Sequence, residues 1–352
     1  MNPLPFTSEQ LKNIDRIALV NALTVSDQYV RFLVAHLPEW RPYFQKNAGI
    51  LSEKEKTLKN GLDDESLAVI NRTIVSYRMI LMMEEATEKR LDRYDLLVDA
   101  NYFLTEREIK LKQAMETRTP LLYEEEGMEY TGYERFEYPE NLKETLEMSQ
   151  LRLCFGLKYL KPELIDLRGK DVIDGGAYIG DSALVFNDYL PKKVYAFEPS
   201  PVSFRSLLEV IRLNRCEDRI AAVQTALGKQ SGVFPFYTKL EPDAGAGLRF
   251  RETKEKIEVP CTTIDDFVRK NDLQPGLIKL DTEGGEFDAL LGAVETLKKF
   301  KPILLLAVNH RAVDFFEIKP FLENLNPGYR FLLRDTSFVN PNGEISLIAW
   351  CE

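Results

Sequence analysis

The spacing of apolar positions changes twice along this chain, and each change predicts a different kind of structure. From Leu62 to Arg118 there is neither glycine nor proline, between Gly61 and Pro120. Within that stretch Ile70, Ile74, Tyr77 and Leu81 recur at spacings of four, three and four, which places them on one face of a helix. Charged residues fill the gaps in "EEATEKRLDRYDLL", as a solvated face requires. Two or more packed helices are predicted. A strict heptad is lost through "DANYFLTERE", which argues against a long coiled coil. An earlier stretch, "SEQLKNIDRIALVNAL", carries its own apolar stripe, so residues 1–118 read as a helical N-terminal domain. Next, "TPLLYEEEGMEYTGYERFEYPENL" alternates aromatic and acidic residues around Gly127 and Gly132. That pattern predicts a hairpin or arm, followed by a helix, connecting through residues 119–166.

From about Leu167 short apolar runs alternate with amphipathic stretches: "DVIDGG", "KVYAFEP", "IAAVQTAL", "LIKLDTEGG" and "PILLLAV". Near-continuous apolar strands separated by helices predict a parallel sheet covered on both faces. Two late strands, "YRFLLRD" and "EISLIAWC", are joined by "TSFVNPNG", whose Asn-Pro-Asn-Gly reads as a turn. Residues 167–352 therefore form an α/β domain whose parallel sheet ends in an antiparallel pair. No internal repeat or low-complexity segment interrupts this plan.

A length of 352 residues allows roughly two domains. A formal charge of −10 disfavours general binding to nucleic-acid phosphates. The beginning, "MNPLPFTSEQ", lacks the basic and apolar segments of a signal peptide. The aliphatic run "ILLLAV" is far short of the ~20 residues that span a bilayer. Cys154, Cys216, Cys261 and Cys351 are scattered, with no spacing that suggests zinc or a disulfide framework. The expectation is a soluble, cytoplasmic protein with no membrane partner.

Candidate chemistry begins in "VIDGGAYIG". Asp174 closes a strand, and Gly176 and Gly180 punctuate the turn before the helix "DSALVFNDYL". Glycine permits positive φ and close approach to a ligand, and the helix start offers N–H groups. Read as a dinucleotide fingerprint, G-x-G-x-x-G maps onto Gly175, Ala177 and Gly180. Ala177 replaces the glycine that admits a pyrophosphate, which counts against NAD or FAD. An acid at the strand's end suits a ligand with a cationic amine and sulfonium, such as S-adenosylmethionine. The next strand ends at Glu198, 24 residues after Asp174, where an acid can accept hydrogen bonds from both ribose hydroxyls. Phe197 and Pro199 are candidates for one wall of an adenine slot. The alternative is that Glu198 caps the helix in "SPVSFRSLLEVIRLN".

Together, "IDGGAYIGD", "FEPSPVSFRSLLEVIRLN" and "TTIDDF…LIKLDTEGGEFDALLGA" resemble the FkbM family of S-adenosylmethionine-dependent methyltransferases. The last carries Lys279, Asp281, Glu283, Gly284 and Glu286 in register with that family's K-x-D-x-E-G-x-E, and "TALG" also fits. The resemblance covers roughly residues 167–310. Tyr178 stands where the family often has asparagine, and Gly285 where alanine or a larger residue is usual. The resemblance implies a Rossmann-like, seven-stranded methyltransferase sheet with cofactor and acceptor at the carboxyl ends of its strands. It implies that Asp174, Gly176 and Gly180 face the amino-acid part of the cofactor and that Glu198 faces the ribose. Tyr178, next to Ala177, bears on how the methionine tail is held. Thr225 and Ala226 would lie near adenine.

Asp281, Glu283 and Glu286 surround a strand end and a helix start, where they would orient a hydroxyl acceptor or take its proton. Glu286, in the helix's first turn, is favoured there by the dipole and is better suited to a structural or orienting part. His310, after the fifth strand in "AVNHRAVDFFE", has the pKa of a base at neutral pH. Its other reading is a hydrogen-bonded structural residue, and His36 reads as packed against a helix. Metal binding by the carboxylate cluster, as in some O-methyltransferases, is a further alternative that nothing in the sequence favours, so no metal ligand is assigned. The expected activity is methyl transfer to oxygen on a sugar or other small metabolite, an assignment of oxygen that rests on the resemblance. The N-terminal helices would cover the site, choose the acceptor or make a homodimer. Two other functions remain open: an NAD-dependent oxidoreductase, and a non-catalytic scaffold presenting Tyr123, Tyr130, Tyr133, Phe136 and Tyr138 to a partner.

Overall fold

The computed structural model describes residues 27–87, 122–123, 128–129, 136–146, 148–238, 247, 255–326, 328–336 and 343–351. The helix expected in "SEQLKNIDRIALVNAL", the helical residues expected over 88–118, Tyr130 and Tyr133, and the Asn-Pro-Asn turn lie outside the described residues. Among the described residues three helices come first: α1 (Asp27–Lys46), α2 (Leu51–Lys59) and α3 (Asp64–Thr87). Strands β1 (Leu122–Tyr123) and β2 (Met128–Glu129) pair antiparallel, and a short α4 (Met148–Arg152) follows.

The chain then alternates strand and helix as its apolar runs predict. The elements are β3 (Asp171–Gly175), α5 (Asp181–Asn187), β4 (Lys193–Phe197), α6 (Pro201–Leu213), β5 (Ile220–Val223), β6 (Ala226–Leu227), β7 (Gly232–Thr238) and β8 (Glu255–Thr262). After these come α7 (Ile264–Asn271), β9 (Pro275–Leu280), α8 (Glu286–Leu291), α9 (Val294–Phe300), β10 (Ile303–Ala307), α10 (Ala312–Leu325), β11 (Tyr329–Asp335) and β12 (Ile345–Cys351). Seven strands form one sheet in the order β11-β12-β10-β9-β3-β4-β5. From β10 to β5 all neighbours are parallel, and β12 runs antiparallel to β10. β3, β9 and β10 are buried along their whole length, which is why their sequences are unbroken apolar runs apart from a few charged residues. The chain leaves β3 in one direction for β4 and β5 and later returns on its other side with β9 and β10. Their carboxyl ends therefore flank the point where a ligand crevice opens in such sheets.

The sequence reading missed a second sheet. "IAAVQTAL" is not one strand: after β5 the N–H of Thr225 turns back to the Val223 carbonyl, and β6 joins a three-stranded sheet of order β6-β8-β7. Phe236, Val259, Cys261 and Ala226 make its small core, with Phe234 and Ile257 packed on it. Alternation in "VFPFYT" and "KIEVPCT" signals these strands, although Pro235 and Pro260 weaken the signal.

The described residues group into two compact units. One holds residues from Leu122 to Val308, Phe321–Phe331 and the last strand; the other gathers the N-terminal helices with Asn309–Pro320 and Leu332–Ile345. Within the latter, the stripe Ile70, Ile74, Tyr77 and Leu81 is buried, as its spacing predicts. Tyr77 stacks on Trp40 at 3.8 Å between centroids, and Trp40 packs on Phe315 at 5.3 Å. Beside this aromatic core the Arg72 guanidinium meets the Asp335 carboxylate, both buried. Arg334 reaches Asp63 and the Ser66 hydroxyl, which also accepts the Leu333 N–H. No helix among the described residues is long and apolar enough to cross a membrane.

Arg72→Met takes the cation from a carboxylate that stays buried, at a cost of about 3–5 kcal/mol in urea unfolding. The double change Arg72→Met with Asp335→Leu should recover most of that loss. Equal stability of the wild type and the single variant would remove the pair from the core's support.

Candidate functional site

The turn after β3 is shaped by contacts that leave no room for a side chain at Gly176 or Gly180. Gly176 has φ +74°, and a Cβ there would lie 1.7 Å from the Asp281 carbonyl oxygen. The Gly176 and Ala177 N–H groups both donate to the Phe197 carbonyl, at 3.1 and 2.9 Å, which ties the turn to the end of β4. Tyr178 has φ +47°, and its N–H donates to Glu198 Oε2 at 3.0 Å. Gly180, at φ +94°, closes the turn by donating to the Ala177 carbonyl at 2.7 Å. The start of α5 is not open to an anion, because Asp181 accepts the Ser182 N–H there.

Glu198 joins the two strand ends. Its other oxygen, Oε1, accepts the Ser200 N–H at 2.7 Å. The N-cap of α6 is Ser200, so capping does not account for Glu198. Burial pushes its carboxyl up to about 8, against the two backbone N–H bonds and the Lys279 charge that lower it. Each oxygen retains acceptor capacity beyond its one backbone donor, enough for two hydroxyls. That acceptor set fits the ribose of S-adenosylmethionine. Pro199 is buried beside it.

Asp174 is fully buried: Oδ2 accepts the Ser182 hydroxyl at 2.6 Å, and Oδ1 lies 3.5 Å from Lys279 Nζ. It therefore lies beneath the turn. Burial pushes its pKa up, opposed by Lys279 and Ser182. The Phe197 ring packs edge-on against Phe267 at 4.7 Å and is buried in the core. Thr225 is half-buried, and the Ala226 side chain belongs to the small sheet's core.

After β9 the chain makes a second turn. Glu283 and Gly284 both take positive φ, +56° and +95°, and Glu286 Oε1 accepts the N–H groups of Thr282 and Gly284. Glu286 is fully buried at the start of α8 and shapes this turn. Asp281 and Glu283 are half-buried. A Cβ on Gly285 would come within 2.9 Å of the Thr282 hydroxyl, which explains glycine at that position. The Gly247 backbone also packs on this turn, where a Cβ would stand 3.2 Å from the Glu283 carbonyl oxygen.

His310 belongs to the other unit, where it is buried with its ring centroid 6.5 Å from that of His36. Sequence reasoning overlooked Asp181, Ser182 and the position of Lys279 as the cation among buried acids. A lysine inside the apolar run "LIKLD" was the available signal.

Residues 174–331 match the model of the methyltransferase FkbM domain. Two curated relatives share 26% identity each with this chain. The hexuronic acid methyltransferase AglP of Haloferax volcanii matches over 169 residues, 47% of this chain and 67% of that protein. Methyltransferase sdnD of Sordaria araneosa matches over 211 residues, 51% of this chain and 78% of that one. The crystal structure of methyltransferase FkbM from Methylobacillus flagellatus superposes with a TM-score of 0.52 at 19% identity. That superposition covers 89% of this chain but 61% of the other, and it shows a shared fold.

Gly176→Ala should cost about 3 kcal/mol or more, since a backbone carbonyl stands where the methyl would go. Thermal unfolding checks this, and a folded variant with wild-type stability would contradict the turn's geometry.

Proposed function

We propose that this chain, which carries an FkbM methyltransferase domain, takes a methyl group from S-adenosylmethionine and places it on a hydroxyl of a sugar or similar small metabolite. The observation that carries the cofactor reading is Glu198, a buried carboxylate held by the N–H groups of Tyr178 and Ser200 with acceptor capacity to spare. S-adenosylmethionine, when bound, supplies a methyl already activated by a sulfonium. The chain's own residues do the holding. Glu198 accepts from the ribose hydroxyls, with Pro199 beside it. Gly176, Ala177, Tyr178 and Gly180 border the amino-acid tail, and Asp174 supports them from beneath. Thr225 and Ala226 border the adenine.

Asp281 and Glu283 orient the acceptor hydroxyl and receive its proton, and their half-buried state leaves them within reach of a substrate. Glu286 is committed to backbone N–H groups and keeps their turn in shape. Alignment of bound reactants supplies roughly 7–11 kcal/mol, so a base adds to a reaction that positioning already favours. His310 is the second candidate for that base. The sugar reading draws support from the hexuronic acid methyltransferase among the relatives, and the net charge of −10 is poorly suited to a polyanionic acceptor.

Calorimetric titration with S-adenosylhomocysteine, with NAD⁺ as control, should show micromolar binding of the first alone. Binding of NAD⁺ alone would overturn the cofactor assignment in favour of an oxidoreductase. The affinity should rise with pH and level off above about 8, because ribose hydroxyls donate to the ionised Glu198 and a bound proton opposes them. Glu198→Gln should bind at least about tenfold more weakly and lose that part of the pH dependence.

Turnover of hexuronates and neutral sugars with radiolabelled methyl donor tests the acceptor. His310→Ala should leave cofactor affinity unchanged while turnover falls about 10²-fold. Full activity in that variant would end its candidacy as base.

A further inference from the structure

Three carboxylates of the candidate site, on Asp174, Asp181 and Glu198, are buried, and a single ammonium among the described residues favours the charged form of each. That ammonium is Lys279, itself 5% exposed on β9, a strand that supplies none of the three acids. Parallel pairing sets Lys279 directly beside Asp174 on β3. From there Nζ donates to the Gly176 carbonyl at 2.8 Å, approaches Asp174 Oδ1 to 3.5 Å and lies over the Phe155 ring at 5.8 Å. Other groups that face the set are the Ser182 hydroxyl on Asp174, the backbone N–H groups of Tyr178 and Ser200 on Glu198, and the Tyr138 phenol, whose ionisation burial, Asp181 and Asp188 all oppose.

We propose that Lys279 is the positioning residue of the glycine turn: one buried ammonium that fastens the Gly176 carbonyl and counterbalances these three carboxylates. A bond to one carbonyl does not by itself justify burying an ammonium, which costs several kcal/mol unless its charge is compensated. The acids supply that compensation, and they need the cation in return. Burial pushes Asp181 up to about 6 and Glu198 up to about 8 even with Lys279 present. A carboxyl raised on folding binds more protons folded than unfolded, so its contribution to stability falls as pH rises from the usual carboxylate range through the folded pKa. Without Lys279 that window extends upward, and the loss of stability grows with pH. The ligand in this proposal rests on the S-adenosylmethionine reading; the charge balance does not.

The test uses Lys279→Gln, which keeps an N–H donor for Gly176 and removes the charge, and Lys279→Arg, which keeps the charge. Thermal unfolding of the ligand-free full chain is followed from about pH 6 to about pH 9, alongside S-adenosylhomocysteine titration. In Lys279→Gln the melting temperature should fall below wild type by at least about 5 °C more at high pH than at low. Its affinity at neutral pH should drop at least about tenfold, with the affinity–pH curve moved upward by about one unit. Lys279→Arg should recover most of each loss.

A deficit in melting temperature that is the same at every pH would overturn the proposal, leaving Lys279 a packing residue. An unchanged affinity curve in a folded Gln variant would overturn it too. If the Gln variant is unfolded at neutral pH, recovery at about pH 6 supports the assignment and failure at both overturns it. If wild type binds no S-adenosylhomocysteine while the pH-graded loss persists, the role of Lys279 stands and the cofactor reading falls.

Discussion

Gly176 and Asp281 meet backbone to backbone, with the carbonyl oxygen of one where a side chain of the other would be. That contact sets how closely the turn after β3 approaches the turn after β9, and the candidate site is built from those two turns. The Asp281 N–H also donates to the Gly175 carbonyl at 3.0 Å, continuing the β3–β9 pairing one step past the strands. With the backbones locked, positive φ follows at Gly176, Tyr178 and Gly180 on one turn and at Glu283 and Gly284 on the other. Tyr178 and Glu283 are not glycines, so their backbones carry strain of order 1–3 kcal/mol, offset by the bonds around them.

Electrostatics follow from the same register. Asp174 and Lys279 are paired neighbours, so the two charges share a face of the sheet below the turn. Glu198 arrives on the opposite flank of β3 and binds the turn through Tyr178 N–H. The site is therefore rich in buried carboxyl groups, with burial raising Asp174, Asp181 and Glu198 alike. A cationic ligand suits such a place better than a diphosphate would, in agreement with alanine at position 177.

The unit with the N-terminal helices is organised by different means. Its core is aromatic, around Trp40, and its polar ties are buried or partly buried arginine–carboxylate pairs. Segments far apart in the chain meet within it: Arg72 and Asp335 are 263 positions apart. A helical stripe such as Ile70, Ile74, Tyr77 and Leu81 shows which face is buried, but not that Phe315 and Asp335 would be among its neighbours.

By itself the sequence determined the parallel sheet, its antiparallel C-terminal partner and the glycine turn. Continuous apolar runs and helical spacing are local patterns, and glycine at a crowded turn leaves no substitute. It also singled out Glu198, because an acid at a strand end is a local feature. Only the tertiary structure decided that "IAAVQTAL" divides between two sheets, that Phe197 packs on Phe267, and that Asp174 lies beneath the turn beside a lysine. Those outcomes depend on which strands pair and in what register. Lys279 and the Gly176 carbonyl it holds are 103 positions apart, and the partner of a buried charge is chosen by packing across that distance.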